Sequence, residues 1–137
     1  MFIPLWLGYL SRAYADDGQA DAASRSIDDA IATAAATGER WVEPELHRIA
    51  GENALLPAAR DAAKAQACFE RALTLARAQQ AKSWELRAAT SLARLWRDQG
   101  KPAEARDLLA PLHGWFTEGL DTLDLREATI LLDGLSP

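Results

Sequence analysis

The chain has 137 residues, of which 20 are acidic and 15 are basic, so its formal net charge is −5. This length suits a single domain, and the acidic balance argues against partners that need a basic patch, namely nucleic acids and anionic membrane surfaces. Alanine fills 29 positions and leucine 20, whereas valine occurs once and isoleucine five times. Since alanine and leucine favour helices and β-branched residues favour strands, the composition predicts an all-α protein and excludes a sheet protein.

Apolar residues spaced at i, i+3, i+4 and i+7 predict seven helices along the chain. We place them at about residues 4–16, 20–37, 43–56, 60–80, 82–98, 102–112 and 122–133. Gly38 is expected to end the second helix in a left-handed conformation, and Pro57 stands where a turn glycine is expected in the middle of the chain. Asp121 or Thr122 is expected to cap the last helix.

The helical pattern repeats with a period of about 41 residues. Gly18 and Gly100 lie 82 residues apart, which is two such periods. The second helix of each pair carries a small residue, then a larger apolar residue, then a small or apolar residue. The three copies of this pattern begin 42 and then 40 residues apart. They are Ala23, Ile27 and Ala30; Ala65, Phe69 and Ala72; and Ala105, Leu109 and Leu112. We therefore expect one domain of three helical hairpins, at about residues 4–38, 41–80 and 82–113, and a closing helix at about 121–134.

These patterns resemble the tetratricopeptide repeat. The best-matching residues are Leu10, Ser11, Tyr14, Gly18, Ala20, Ala23, Ile27 and Ala30 in the first hairpin, and Leu92, Ala93, Trp96, Gly100, Ala105 and Leu109 in the third. The period of this chain, about 41 residues, is longer than the period of the family, which is about 34 residues. The chain also lacks the proline that closes each repeat in the family.

The long-helix variant looks like the C-terminal tetratricopeptide region of bacterial regulators that also contain a class III adenylate/guanylate cyclase domain and an AAA-type ATPase. The runs that carry this closer resemblance lie at residues 45–48, 51–52, 67–69, 71–73, 82–89, 95–96, 99–101 and 114–119. The resemblance implies a superhelix of antiparallel hairpins that acts as a non-catalytic protein–protein interaction or regulatory module. The cyclase and ATPase parts have no counterpart in this sequence, so their activities are not implied.

No residue set in the sequence has the spacing of a catalytic, cofactor or metal site. Gly100-Lys101 lacks both the earlier glycine and the following Ser or Thr of a phosphate-binding loop. His47 and His113 lie 66 residues apart and Cys68 is the single cysteine, so we expect no metal site, no cofactor and no enzymatic activity. We expect Cys68 to fill a small apolar space, and its isolation suits a reducing compartment such as the cytoplasm.

The fifth helix carries a mostly basic stripe on the side that we expect to face away from its packing partners. The stripe consists of Arg87, Thr90, Arg94, Arg97 and Asp98, and we place His47 of the third helix beside it. Guanidinium groups pair with carboxylates, so the stripe is a candidate groove for an acidic peptide or a C-terminal carboxylate; the alternative is an ordinary solvated helix face. A closed pocket near His47, Trp84 and Arg87 would instead indicate a small-ligand-sensing helical-repeat domain.

The first helix is apolar on every side, through Phe2, Leu5, Trp6 and Tyr9 among others. The terminal helix of a helical array has a neighbour on one side only, so its outer face should be polar. We expect these four residues to contact either upstream repeats of a longer parent protein or a second copy of this chain, as a homodimer.

Two aromatic residues, Trp115 and Phe116, follow Gly114 in a segment that we expect to be a loop. We expect them to fold back over the end of the helical stack together with Leu120 and Leu123. The alternative is that they contact a partner.

Overall fold

The structure, a computed structural model, describes residues 3–57, 59–116 and 122–135. These residues form seven α-helices and one short 3₁₀ turn, Arg40–Val42, that precedes the third helix. The helices are α1 (Ile3–Asp16), α2 (Ala20–Thr37), α3 (Glu43–Ala54), α4 (Ala62–Ala78), α5 (Lys82–Asp98), α6 (Pro102–Trp115) and α7 (Leu123–Leu135). The described ranges contain no strand, so the predictions of an all-α protein and of seven helices are confirmed.

Three helix ends in the described part of the chain show local capping signals. Gly38 ends α2 in the left-handed conformation, as predicted, with a φ of 74°. The Asp61 carboxylate accepts a hydrogen bond from the Lys64 backbone N–H at 3.0 Å and so caps α4. The Thr122 hydroxyl oxygen accepts one from the Leu125 N–H at 3.3 Å, which makes Thr122 a cap for the last helix.

Five predicted limits of the described helices differ from the structure by two or three residues: α3 ends at Ala54 and α4 spans Ala62–Ala78, both shorter than predicted, while α6 and α7 end later than predicted. Helix α6 continues past residue 112 to Trp115, so Gly114 and Trp115 belong to the helix rather than to a loop. Helix α7 runs through Gly134 to Leu135. A glycine inside a helix costs only about 1 kcal/mol, and the buried side chain of Leu135 favours the additional residues of α7.

The helices pack in two sets. Consecutive helices pack on each other throughout the chain, and each odd-numbered helix also packs on the next odd-numbered helix, so that α1, α3, α5 and α7 form one continuous layer. The even-numbered helices pack against this layer from the other side. The neighbours of a helix therefore recur along the chain with the period that the sequence predicted.

The core lies between the two sets of helices. All nine residues of the repeated small–large pattern are buried, including Phe69 and Leu109, which are inaccessible to solvent. Gly51 of α3 lies against the Phe69 ring of α4, since a Cβ atom added to Gly51 would stand 2.4 Å from Phe69 Cε1. The small residues of the repeat thus allow neighbouring helices to approach closely.

A search of the described helices for a membrane-spanning segment finds none that combines sufficient length with sufficient hydrophobicity.

Candidate functional site

A buried network of ion pairs joins three helices of the odd-numbered layer. Glu45 of α3 is 1% exposed, and its two oxygens accept hydrogen bonds from Arg48 Nε at 2.7 Å and Arg48 Nη2 at 3.0 Å. Arg87 of α5 reaches the same carboxylate, with Nη1 2.5 Å from Glu45 Oε2. The Nε atom of Arg87 lies 3.3 Å from Asp124 Oδ1, which brings α7 into the network.

Arg48 is held in this network as a charged group. Its Nη1 atom donates to Ser91 Oγ at 3.4 Å and lies 3.7 Å from Glu52 Oε1. Burial lowers the pKa of Arg48, but the hydrogen bond and charge of Glu45, with the charges of Glu52 and Asp124, raise it above the ordinary arginine value overall. Arg48 therefore stays charged between carboxylates of its own helix and the Ser91 hydroxyl of α5, and these contacts link the helices of the odd-numbered layer.

The basic stripe predicted on α5 is matched by carboxylates. Arg94 lies 3.9 Å from Glu127 of α7, and Arg97 Nη2 lies 3.0 Å from its neighbour Asp98. The space enclosed by the stripe and its partners has a volume of about 30 Å³, enough for one water molecule. The arginines that were expected to bind an acidic peptide are thus already paired within the chain.

Thr90 does not lie on an exposed side of α5. It is buried, and its hydroxyl donates a hydrogen bond to the Leu86 carbonyl at 2.8 Å. The expectation was wrong because α5 packs against α3, α4, α6 and α7, so it has no broad side free of neighbours.

His47 lies apart from the stripe. Burial, with a further contribution from the positive charge of Arg71 on α4, lowers the pKa of His47, and Glu43 acts in the opposite direction. His47 is not among the residues that enclose the small space beside the stripe. The structure does not bring His47 and the arginine stripe into one site.

A second feature is an open apolar cleft, which we call the tryptophan cleft. It has a volume of about 630 Å³ and lies where the 3₁₀ turn, the end of α4 and the start of α5 meet. Leu75, Ala78 and Ala81 supply apolar surface, and Trp41, which is 45% exposed, presents its indole ring. The complete lining is Arg40, Trp41, Glu43, Leu75, Ala78, Gln79, Ala81 and Trp84.

Hydrogen bonds to the backbone hold the walls of the tryptophan cleft in place. The Trp84 indole Nε1 donates to the Trp41 carbonyl at 3.0 Å, and Gln79 Nε2 donates to the Arg40 carbonyl at 2.6 Å. The guanidinium of Arg87 stands over the Trp84 ring, 5.7 Å from its centroid. Because Gln79 directly follows the end of α4 and Trp84 lies in α5, these contacts fix the 3₁₀ turn against both helices, so the cleft is formed before any ligand enters.

No protein family, curated protein or solved structure matches this chain. Across the described ranges, no group of three or more His, Cys, Asp or Glu residues is placed to hold a metal ion. Burial raises the pKa of the Cys68 thiol, an effect that Lys64 opposes and that Asp28 and Asp61 reinforce.

Sequence reasoning found only part of the tryptophan cleft. The alternative sensing role was expected to need a closed pocket near His47, Trp84 and Arg87, whereas the cleft is open and only Trp84 of these three residues lines it. The signal that sequence reasoning missed is the separation of Trp41 and Trp84 by 43 residues, close to one repeat period. That spacing places both rings at the start of neighbouring odd-numbered helices, on the same end of the stack.

The two ends of the chain expose further aromatic residues. Trp6 and Tyr9 of α1 are 64% and 48% exposed, while Leu5 is half-buried against the core between α1 and α3. Phe2, which was predicted to share their role, lies outside the described residues. The exposed pair on α1 is thus Trp6 and Tyr9.

The predicted covering of the other end by Trp115 and Leu123 is wrong. Trp115 is 58% exposed and Leu123 is also exposed, whereas Phe116 packs partly into the core. The edge of Trp115 faces Phe116, with ring centroids 5.1 Å apart, and Lys82 Nζ lies 5.3 Å from the Trp115 ring. Leu120 lies outside the described residues. Trp115 stays outside the core because α6 continues through it and directs it away from the stack.

Proposed function

We propose that this chain is a non-catalytic protein–protein interaction or regulatory module that binds a peptide segment of its partner in the tryptophan cleft. The supporting observation is the preformed cleft of about 630 Å³, in which Trp84 is fixed by its hydrogen bond to the Trp41 carbonyl. Rigid, partly exposed tryptophans beside apolar surface are the residues that contribute most to binding at protein interfaces. The resemblance to the tetratricopeptide region of signalling ATPase/cyclase regulators agrees with this role, and the single cysteine suits the cytoplasm.

The chemistry of the lining favours an apolar or aromatic anchor on the partner. One basic residue, Arg40, and one acidic residue, Glu43, line the cleft, so its charges nearly balance. The arginines of α5 are neutralised by carboxylates of the same chain, which removes the reason to expect an acidic partner there. We therefore place the partner site at the cleft rather than on the arginine stripe.

The lining also suits binding better than catalysis. Among the described residues, those that line the cleft include a single carboxylate, from Glu43, and no histidine, cysteine or serine. Nucleophilic catalysis needs a nucleophile within hydrogen-bonding reach of a base, and the lining supplies no such pair. A role in recognition requires only the apolar surface and the indole rings that are present.

A small-ligand-sensing role is the second candidate, and the volume of the cleft favours it. Sites for small molecules usually have volumes of about 300–1,000 Å³ and mostly apolar walls with a few polar groups. The tryptophan cleft falls in this range. A planar apolar molecule stacked on Trp41 would occupy the same surface as the side chain of a peptide.

Selection of displayed peptides on the purified chain tests the proposal. We expect the enriched peptides to share an apolar or aromatic residue and to bind the Trp41→Ala variant at least tenfold more weakly, a loss typical of a central interface residue, about 1.4 kcal/mol or more. Trp115→Ala is the matched control, because it removes another exposed tryptophan, 58% exposed against 45% for Trp41, from outside the cleft. Peptides that bind both variants as well as the unmodified chain would show that the cleft is not the site.

Native mass spectrometry of the purified chain separates the two candidate functions. A small molecule that copurifies with the unmodified chain and with Trp115→Ala, but not with Trp41→Ala, would replace the peptide role by the sensing role. A chain free of such a molecule, with cleft-dependent peptide binding, would support the interaction module.

A further inference from the structure

The exposed face of α1 has a simple composition. Its outward positions, spaced by three, four and three residues, are Trp6, Tyr9, Ala13 and Asp16. The opposite face of the helix is buried against α2 and α3. Two large aromatic rings are therefore followed on the same face by a small apolar residue and then by a carboxylate.

We propose that this face binds a second copy of itself, with the two α1 helices antiparallel about a two-fold axis near Tyr9. The axis passes between residues 9 and 10, and residues at equal distances on either side of it face each other in an antiparallel pair. Trp6 of each copy therefore lies opposite Ala13 of the other. A large ring facing a small residue lets two helices approach to the usual separation of about 8–10 Å. The contact is the same on both copies, so the assembly closes as a dimer.

The charges at the ends of α1 favour the antiparallel orientation. The helix has no acidic residue in its first turn and no basic residue in its last turn, where Asp16 lies. Asp16 pairs with Arg12 of its own helix at 3.3 Å and stays exposed, and its carboxylate would gain further stabilisation beside the N-terminal end of a second helix, whereas the C-terminal end of its own helix dipole disfavours it. Antiparallel pairing brings Asp16 of each copy toward the N-terminal end of the other α1, and parallel pairing does not.

The size of the contact predicts a weak, reversible dimer. A fully buried aromatic side chain removes about 150–250 Å² from water, and each copy offers two partly exposed ones. The whole interface therefore belongs to the small class, below about 1,200 Å². This inference does not depend on the tryptophan cleft, which other helices form, and the dimer leaves that cleft open.

Sedimentation velocity over a series of protein concentrations is the first test. We expect the dimer fraction of the unmodified chain to rise with concentration, to vanish in Trp6→Ser and to be unchanged in Trp115→Ser. Each variant alters an exposed side chain, so a circular dichroism spectrum equal to that of the unmodified chain confirms that it is folded. A monomer at every concentration would overturn the proposal, and so would a dimer that survives Trp6→Ser.

Disulfide trapping tests the orientation in a Cys68→Ala background. Both variants used keep Trp6. Tyr9→Cys should crosslink with itself, because the two Tyr9 positions lie beside the axis. Ala13→Cys should not crosslink efficiently, because its two positions stand seven residues, or about 10 Å, apart along the helix in the antiparallel pair, beyond the reach of a disulfide. Efficient crosslinking of Ala13→Cys would indicate a parallel pair and overturn the antiparallel geometry.

Discussion

Glu45 and Arg87 form an ion pair between α3 and α5, in which Glu45 Oε2 lies 2.5 Å from Arg87 Nη1 and the glutamate is almost completely buried. The same carboxylate also binds Arg48 through two hydrogen bonds. One buried acid therefore compensates two arginines from different helices. Both guanidinium groups remain partly accessible: Arg48 contacts Glu45 through two nitrogens, whereas Arg87 contacts it through Nη1 and contacts Asp124 through Nε.

Glu45→Ala should be strongly destabilising. The substitution removes the hydrogen bonds and the ion pair that Glu45 makes with Arg48 and Arg87. These arginines keep Glu52 and Asp124 as acidic partners, so the substitution should cost about 1.5–3 kcal/mol. Urea unfolding followed by circular dichroism gives the free energy of unfolding. Glu127→Ala is the control, since Glu127 is exposed and 3.9 Å from Arg94, and it should cost less than about 1 kcal/mol. Equal losses in the two variants would contradict a special role for the buried carboxylate.

Gly51→Ala should destabilise the contact between α3 and α4. The added methyl group would lie 2.4 Å from Phe69 Cε1, and displacing a buried ring from a packed core costs about 1–3 kcal/mol. Thermal unfolding measures the loss. Phe69→Leu in the same chain should cost less in the Gly51→Ala background than alone, because the smaller side chain relieves the clash. Strictly additive losses would contradict direct contact between the two positions.

Gln80→Gly should stabilise the chain by about 0.5–1 kcal/mol, since a residue with a side chain is strained at positive φ. Gln80 has a φ of 56° in the turn between α4 and α5, and its side chain is exposed. Gly100→Ala is the opposite test in a turn of similar conformation, where φ is 77° and no atom crowds the glycine. It should lower the melting temperature, while Gln80→Gly raises it. If the melting temperature falls in both variants, the side chain of Gln80 stabilises the chain more than its backbone strain destabilises it.

His47 should make the stability of the chain depend on pH. Its pKa in the folded chain is lowered by burial and by Arg71, so the folded state favours neutral histidine and the unfolded state binds the proton more readily. The resulting stabilisation is present above the ordinary histidine pKa of about 6.5 and is lost as the pH falls toward and through the lowered folded value. Urea unfolding at a series of pH values should therefore show a smaller loss on acidification for His47→Gln than for the unmodified chain.

Arg71→Gln supplies the matched variant for this pH dependence. Removing the positive charge should bring the pKa of His47 back toward its ordinary value, and the loss of stability on acidification should shrink without disappearing, because burial remains. If the pH dependence of stability is unchanged in both His47→Gln and Arg71→Gln, then groups other than His47 cause it.

Local pattern predicted the helices well where the pattern and its end signals agree. Helix α5 begins and ends where the apolar spacing and the turn at Gly100 place its limits, and α2 ends at the left-handed Gly38. Prediction was wrong at Gly114 and Gly134, because a glycine ends a helix only when tertiary packing does not favour its continuation. Thr90 was misplaced for a related reason, since the spacing along one helix does not reveal how many helices surround it.

The sequence by itself determined the all-α class, the seven helices and the nine buried residues of the repeat, because these follow from periodicity and propensity within short segments. Only the tertiary structure decided which charges meet. Glu45, Arg87 and Asp124 lie on three helices far apart in the chain, and their pairing turned an expected basic groove into a balanced network. The tryptophan cleft likewise forms where a turn and two helices meet. The spacing of residues along one segment does not show how close these elements come in space.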